Sequence, residues 1–131
     1  MRRPILAAMA CMILASCGDN LSPLAQLCVE ATKDSLKSPR SMELVGVTDG
    51  SKIAKDHQPF EIFVRFDAAN AYGTMLRGIF ICQFRRASGK VEVVALSMNG
   101  EPYTGQLFRL KKLAIELKLS TQELKKTLNK N

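Results

Sequence analysis

Chemically reactive side chains are few in this 131-residue chain: four cysteines (Cys11, Cys17, Cys28 and Cys82) and one histidine, His57. A thiolate is a nucleophile and a metal ligand, but no two cysteines stand as Cys-x-x-Cys, the spacing that makes redox and zinc sites. His57 lies beside Asp56 in a polar stretch, and one imidazole without a second His or Cys at ligand spacing rarely holds zinc or copper. It reads as an exposed loop residue. Met42, Met75 and Met98 are too far apart in sequence to suggest a copper-type cluster. A serine nucleophile would have to use His57, and no Gly-x-Ser-x-Gly elbow exists. Ser88-Gly89-Lys90 is a turn rather than a phosphate-cradling loop, and none of the 12 Asp and Glu residues stands in a recognisable cleft motif. No catalytic residue, metal or cofactor is expected; the chain reads as a non-enzyme.

Met1 to Cys17 decides what the cysteines can become. Arg2 and Arg3 are followed by the mostly apolar run Pro4 to Ala15 and a small-residue exit, the layout of an export signal. The run is shorter than the ~20 residues of a membrane-spanning helix. Gly18-Asp19-Asn20 follows rather than a stop-transfer pattern, so cleavage is expected; an uncleaved N-terminal anchor is the alternative. Leu14-Ala15-Ser16-Cys17 resembles the lipobox of bacterial lipoproteins. That resemblance implies a signal peptide over 1–16, a Cys17 carrying acyl chains such as palmitate, and a lipidated tether over 17–22. The mature protein would sit in the cell envelope, anchored to the membrane and facing the periplasm. Gly18, rather than Asp, directly follows the lipidated position, which resembles outer-membrane rather than inner-membrane delivery. Each buried methylene contributes ~0.8 kcal/mol, and more than one chain gives lasting anchorage.

Cys11 then leaves with the signal, Cys17 is acylated, and Cys28 and Cys82 remain in an oxidising compartment. Leu21, Leu24, Cys28, Ala31 and Ser35 follow helical spacing, which puts Cys28 on an apolar stripe. Leu76, Gly78, Phe80, Cys82 and Phe84 alternate along one face of a strand. Both cysteines point toward the same core, so a Cys28–Cys82 disulfide is expected, contributing ~4 kcal/mol on the chain-entropy estimate.

These cysteines need a helix and a sheet to meet. Ser22-Pro23 is a helix start, and the helix runs to about Leu36, stopping before Ser38-Pro39. Ser41–Thr48, Phe60–Phe66, Thr74–Arg86 and Val91–Met98 read as strands, with Asp67–Gly73 as a connecting loop, Ala87-Ser88-Gly89-Lys90 as a turn and Asn99-Gly100 as a strong turn signal. The expected fold is α+β: an N-terminal helix on an antiparallel meander of about four strands (23–104), then one or two C-terminal helices (105–131) packed on the same domain. In the tail, Leu107, Leu110, Leu113, Ala114 and Leu117 share a face; Phe108, Ile115 and Leu119 form a second patch. A stripe this wide predicts burial on more than one side. Ser120-Thr121-Gln122-Glu123 fits a capping box, so a second short helix is expected there. On the sheet's outer side, Phe63, Ile79 and Ile81 are too apolar to lie bare. Either the tail helix covers them, the preferred expectation, or a partner does.

The formal net charge is +7, unevenly spread. Between Gly18 and Thr104 basic and acidic residues balance, so the mature excess lies in the tail: Arg109, Lys111, Lys112, Lys118, Lys125, Lys126 and Lys130 against Glu116 and Glu123. Such a segment attracts anionic surfaces or acidic partners, or only solvates a helix face. Leu113 to Leu124 resembles part of a helix-turn-helix, but an exported, acylated protein meets no chromosome, and nucleic acid is not an expected partner.

Leu36-Lys37-Ser38-Pro39, then Phe66-Asp67-Ala68-Ala69-Asn70-Ala71-Tyr72-Gly73, then Arg77 and Phe80-Ile81-Cys82, resembles a pattern in small exported bacterial proteins. The likeness covers roughly residues 28 to 86 and implies fold rather than activity. Asp67 and Asn70 can bond nearby backbone and shape the loop, Gly73 supplies a positive φ, and Tyr72 suits a loop tip. Arg77, Tyr72, Asn70 and Asp67 are the candidate binding residues; a shaped turn is the structural alternative. The expected function is a non-catalytic, lipid-anchored envelope module that binds a protein partner. The alternative is an inhibitor or immunity lipoprotein acting against an envelope-targeting enzyme or toxin.

Overall fold

The computed structural model describes residues 20–130; the signal segment, the lipobox and Cys17 lie outside the described residues. Ser22 opens the first helix, α1 (Pro23–Asp34), as its N-cap: its side chain accepts the Ala25 N–H at 3.2 Å, and Pro23 occupies the first turn. The Ser22 hydroxyl also donates to Asp49 Oδ2, and Asp49 Oδ1 accepts the Ser51 N–H at 2.8 Å. One carboxylate thus ties the start of α1 to the end of the first strand. Burial alone would push the Asp49 carboxyl up, but the hydrogen bonds from Ser22 and Ser51, with Lys52 nearby, outweigh it and hold the group below its ordinary value.

After α1 come a 3-10 turn (Pro39–Ser41), β1 (Glu43–Asp49), a second 3-10 turn (Gly50–Ile53), β2 (Pro59–Ala69), β3 (Met75–Ala87), β4 (Lys90–Met98), β5 (Glu101–Pro102) and α2 (Gly105–Leu128). The strands form one antiparallel sheet in the order β1-β2-β3-β4-β5. The α+β meander is therefore as expected, with a two-residue fifth strand added after the Asn99-Gly100 turn. That turn has positive φ at both residues (51° and 83°), as does Ser88-Gly89 between β3 and β4 (53° and 77°), the backbone that matches strand twist in a tight hairpin.

Alternation along β2 and β3 assigns the inner face. Phe60, Ile62, Val64, Phe66 and Ala68 on β2, with Phe80, Cys82 and Phe84 on β3, are buried against Leu24, Ala25 and Cys28 of α1. The register places Phe66 opposite Gly78, where an added Cβ would lie 2.5 Å from the Phe66 ring, so a glycine is needed there. Cys28 and Cys82 are joined by a disulfide with Cα atoms 6.1 Å apart, the expected helix-to-sheet link. Among the described residues, the buried hydrophobic core is drawn from residues 24–115, so a chain beginning at Asn20 carries that core whole.

The tail departs from expectation in three ways. It is one helix, without a second start at Ser120: the Ser120 and Thr121 hydroxyls bond the carbonyls of Glu116 and Leu117, four residues back, and no glycine or proline interrupts the run. Nor does it cover the outer sheet face. It packs beside α1 on the inner face, so Phe63, Ile79 and Ile81 remain only partly buried on the far side. The broad leucine face is also not buried. Ile115 is the helix's buried residue, at 4% exposure, with Phe108 and Leu119 partly buried beside it, whereas Leu107, Leu110, Leu113 and Leu117 are 53–59% exposed.

What α2 does cover is an open strand edge. Beyond the short β5, β4 would leave backbone groups bare at Val93. Glu116 accepts the Val93 N–H at 3.2 Å, and Lys112 donates to the Val93 carbonyl at 2.8 Å while pairing with Glu116 at 2.8 Å. Lys118 reaches Glu30 and Asp34 of α1 (3.2 and 3.6 Å), and Lys111 donates to Ser35 at 2.7 Å. Half the tail's lysines thus serve to dock it.

Candidate functional site

The β2–β3 hairpin carries the four candidate binding residues, but they divide into two roles. Strand β2 runs to Ala69, three residues past Phe66. Asp67 is therefore a ladder residue directly opposite Arg77, not part of the connecting loop. The Arg77 guanidinium bonds it with both arms, Nε to Oδ1 at 2.9 Å and Nη2 to Oδ2 at 3.1 Å. This pairing holds the Asp67 carboxyl below its ordinary range and pushes the Arg77 guanidinium up.

The loop proper is Asn70 to Thr74, and Asn70 shapes it. Its Oδ1 accepts the N–H groups of Tyr72 (2.9 Å) and Thr74 (3.0 Å), while its backbone pairs with Thr74 and Gly73. Gly73 takes φ 81° with open space where a Cβ would be, so conformation alone favours glycine there. The product is a hydrogen-bonded tip with Tyr72 93% exposed.

Around that tip the same end of the sheet gathers exposed apolar residues. Met75 and Leu76 open β3, and Leu44 and Val45, at a β-bulge, open β1; all four are about half exposed. Between Leu76 and the segment that follows α1 runs a groove of about 290 Å³, whose lining includes Leu36, Phe66, Ala68, Leu76 and Met98, together with the polar Lys37 and Asn70. Sequence reasoning missed this groove because its walls come from the segment after α1, the hairpin and the end of β4. It has apolar walls with charged and amide groups among them, and the exposed Tyr72 stands on the neighbouring loop, which suits an apolar segment of a protein better than a reacting small molecule.

Other chemistry finds no assembled site. Cys28 and Cys82 are fully buried in their disulfide. His57 is exposed, 3.1 Å from Asp56, in a left-handed loop conformation (φ 63°). Among the described residues no three His, Cys, Asp or Glu side chains are grouped to hold a metal, and no helix is long and apolar enough to cross a membrane. No protein-family model, curated protein or solved structure matches the chain.

Proposed function

We propose that this is a non-catalytic lipoprotein of the cell envelope, acylated at Cys17, that recognises a partner protein through the β2–β3 hairpin end. The reading of the anchor rests on the export signal and on the lipobox-like Leu14-Ala15-Ser16-Cys17. The reading of the binding end rests on one observation: a hairpin tip held by Asn70 hydrogen bonds presents a 93%-exposed tyrosine near an apolar groove. Solvent-exposed apolar surface of this kind, rimmed by polar groups, marks an interaction site. Tyrosine is also the residue type that anchors protein interfaces. Tyr72 and the groove would supply the contact, with Asn70 setting the tip and the Asp67–Arg77 pair flanking it.

The two halves have separate tests. Mass spectrometry of the protein extracted from membranes should find an acylated N-terminal Cys17; an intact, unmodified Met1 in the cytosolic fraction would refute the anchor. A photo-crosslinking residue placed at Tyr72 in the membrane-bound protein should give one discrete adduct, lost when Arg77 and Leu76 are replaced by alanine. Adduct formation unchanged by those replacements removes the hairpin as the binding end.

A further inference from the structure

One surface is left unused by that reading. On α2, Leu110, Leu113, Leu117, Leu124 and Leu128 fall within an arc of about 60° at 3.6 residues per turn, and each is more than half exposed. This stripe lies about 180° around the helix from Phe108, Ile115 and Leu119, which face the core. An apolar line on the solvent side of a 24-residue helix has no role in the fold. The helix also carries most of the chain's excess positive charge. Lys111, Lys112 and Lys118 are engaged in docking, whereas Arg109 and Lys125, which flank the stripe at about 70° and 90° from its centre, form no ion pair among the described residues.

We infer that this face of α2 lies on the surface of an anionic phospholipid bilayer, the leucines entering the headgroup region and the flanking Arg109 and Lys125 reaching lipid phosphates. A basic amphipathic helix with a narrow apolar stripe is suited to that plane, and long basic side chains can keep their charged groups at the headgroups. The length of the tether permits it; in this the inference rests on the anchored reading. Ser22 and Pro23 line the same surface hollow as Leu119, Gln122 and Lys126 of α2. From Ser22 back to Cys17 is five residues, a reach of at most about 18 Å. An acyl chain on Cys17 therefore keeps the bilayer within about that distance of the C-terminal half of α2. The helix layer then faces lipid and the outer sheet face points away from it.

The test uses the chain from Asn20 onward, which carries the core and lacks Cys17, in co-sedimentation with vesicles. Binding to phosphatidylglycerol-rich vesicles should be at least tenfold tighter than to phosphatidylcholine vesicles and should weaken with salt. Leu110→Gln, Leu117→Gln and Leu124→Gln together should weaken it at least tenfold while leaving the circular dichroism spectrum unchanged. Arg109→Glu and Lys125→Glu, which keep every leucine, should abolish the preference for anionic lipid; this second set serves if the first fails to fold. Binding that ignores lipid charge or survives both sets overturns the inference. So does a dimer in sedimentation equilibrium that the leucine substitutions dissociate, since a second copy would then occupy the stripe. Because this chain has no acylation site, failure here leaves the anchor standing, and an unacylated Cys17 in cells leaves the vesicle result standing.

Discussion

The two helices lie side by side on one face of one sheet and are built on opposite principles. α1 has 12 residues and buries five of them, Leu24, Ala25, Leu27, Cys28 and Thr32; α2 has 24 and buries Ile115. α1 is joined to the sheet through a disulfide and apolar packing. α2 is held chiefly at its edges, by Lys112 and Glu116 on the β4 backbone and by Lys111 and Lys118 on α1. A helix whose apolar residues all turn inward belongs to the core. One that spends its charged residues on docking and turns its leucines outward has a face to offer something else.

The sharpest way to break this contrast is through the disulfide. Replacing Cys28 and Cys82 by alanine should cost about 4 kcal/mol, the chain-entropy value for a loop of this length, read as a fall in the urea midpoint. A loss no larger than that of an ordinary surface substitution would show that α1 is held by packing alone. Next in size is Leu27→Ala. Leu27 is 2% exposed, and truncating a buried leucine costs about 3 kcal/mol. Ile115→Ala should cost a similar amount, because it is the one point at which α2 enters the core.

A smaller effect separates the cap of α1 from its packing. Ser22→Ala removes both the acceptor for Ala25 N–H and the donor to Asp49, and should cost about 1 kcal/mol near pH 7. The folded-state carboxyl of Asp49 titrates below its unfolded value. Its contribution is thus present above the unfolded pKa of about 4 and is lost as pH falls through the folded pKa. Denaturation curves taken from pH 7 down to pH 2 should therefore show the wild type losing more stability than Asp49→Asn. An equal loss in both would mean that the Ser22–Asp49–Ser51 cluster carries no proton linkage.

Much of this scaffold was legible before folding. The Ser22-Pro23 start, the alternation of β2 and β3, the Ser88-Gly89 and Asn99-Gly100 turns and the convergence of Cys28 with Cys82 are local patterns, and each recurs in the fold. Decisions taken between elements were not legible. Periodicity marked two apolar faces on α2, but which one faces inward depends on where Ile115 fits against Leu27 and Ala31 of α1. The sequence of the hairpin suggested that Asp67 belonged to the loop; only the register, with β2 running to Ala69, sets it opposite Arg77. The capping box at Ser120 was a true local preference, overridden because side-chain-to-carbonyl bonds let the helix continue. At the candidate site, Tyr72, Asn70 and Gly73 could be named from their types, whereas the groove beside them required three separate elements to meet.

The smallest expected effect is the one that most sharpens the comparison between helices. Leu117→Ala removes the same side chain as Leu27→Ala, but Leu117 is 59% exposed. Little apolar area returns to water, no cavity opens, and alanine has a slightly higher helix propensity than leucine. Stability should change by no more than about 0.5 kcal/mol, the range of ordinary surface substitutions. A loss of 2 kcal/mol or more, on the scale of a buried leucine, would place Leu117 in the core and withdraw its face from any membrane. A near-zero change together with weakened vesicle binding would separate the two roles within one helix, Ile115 for the fold and Leu117 for the lipid surface.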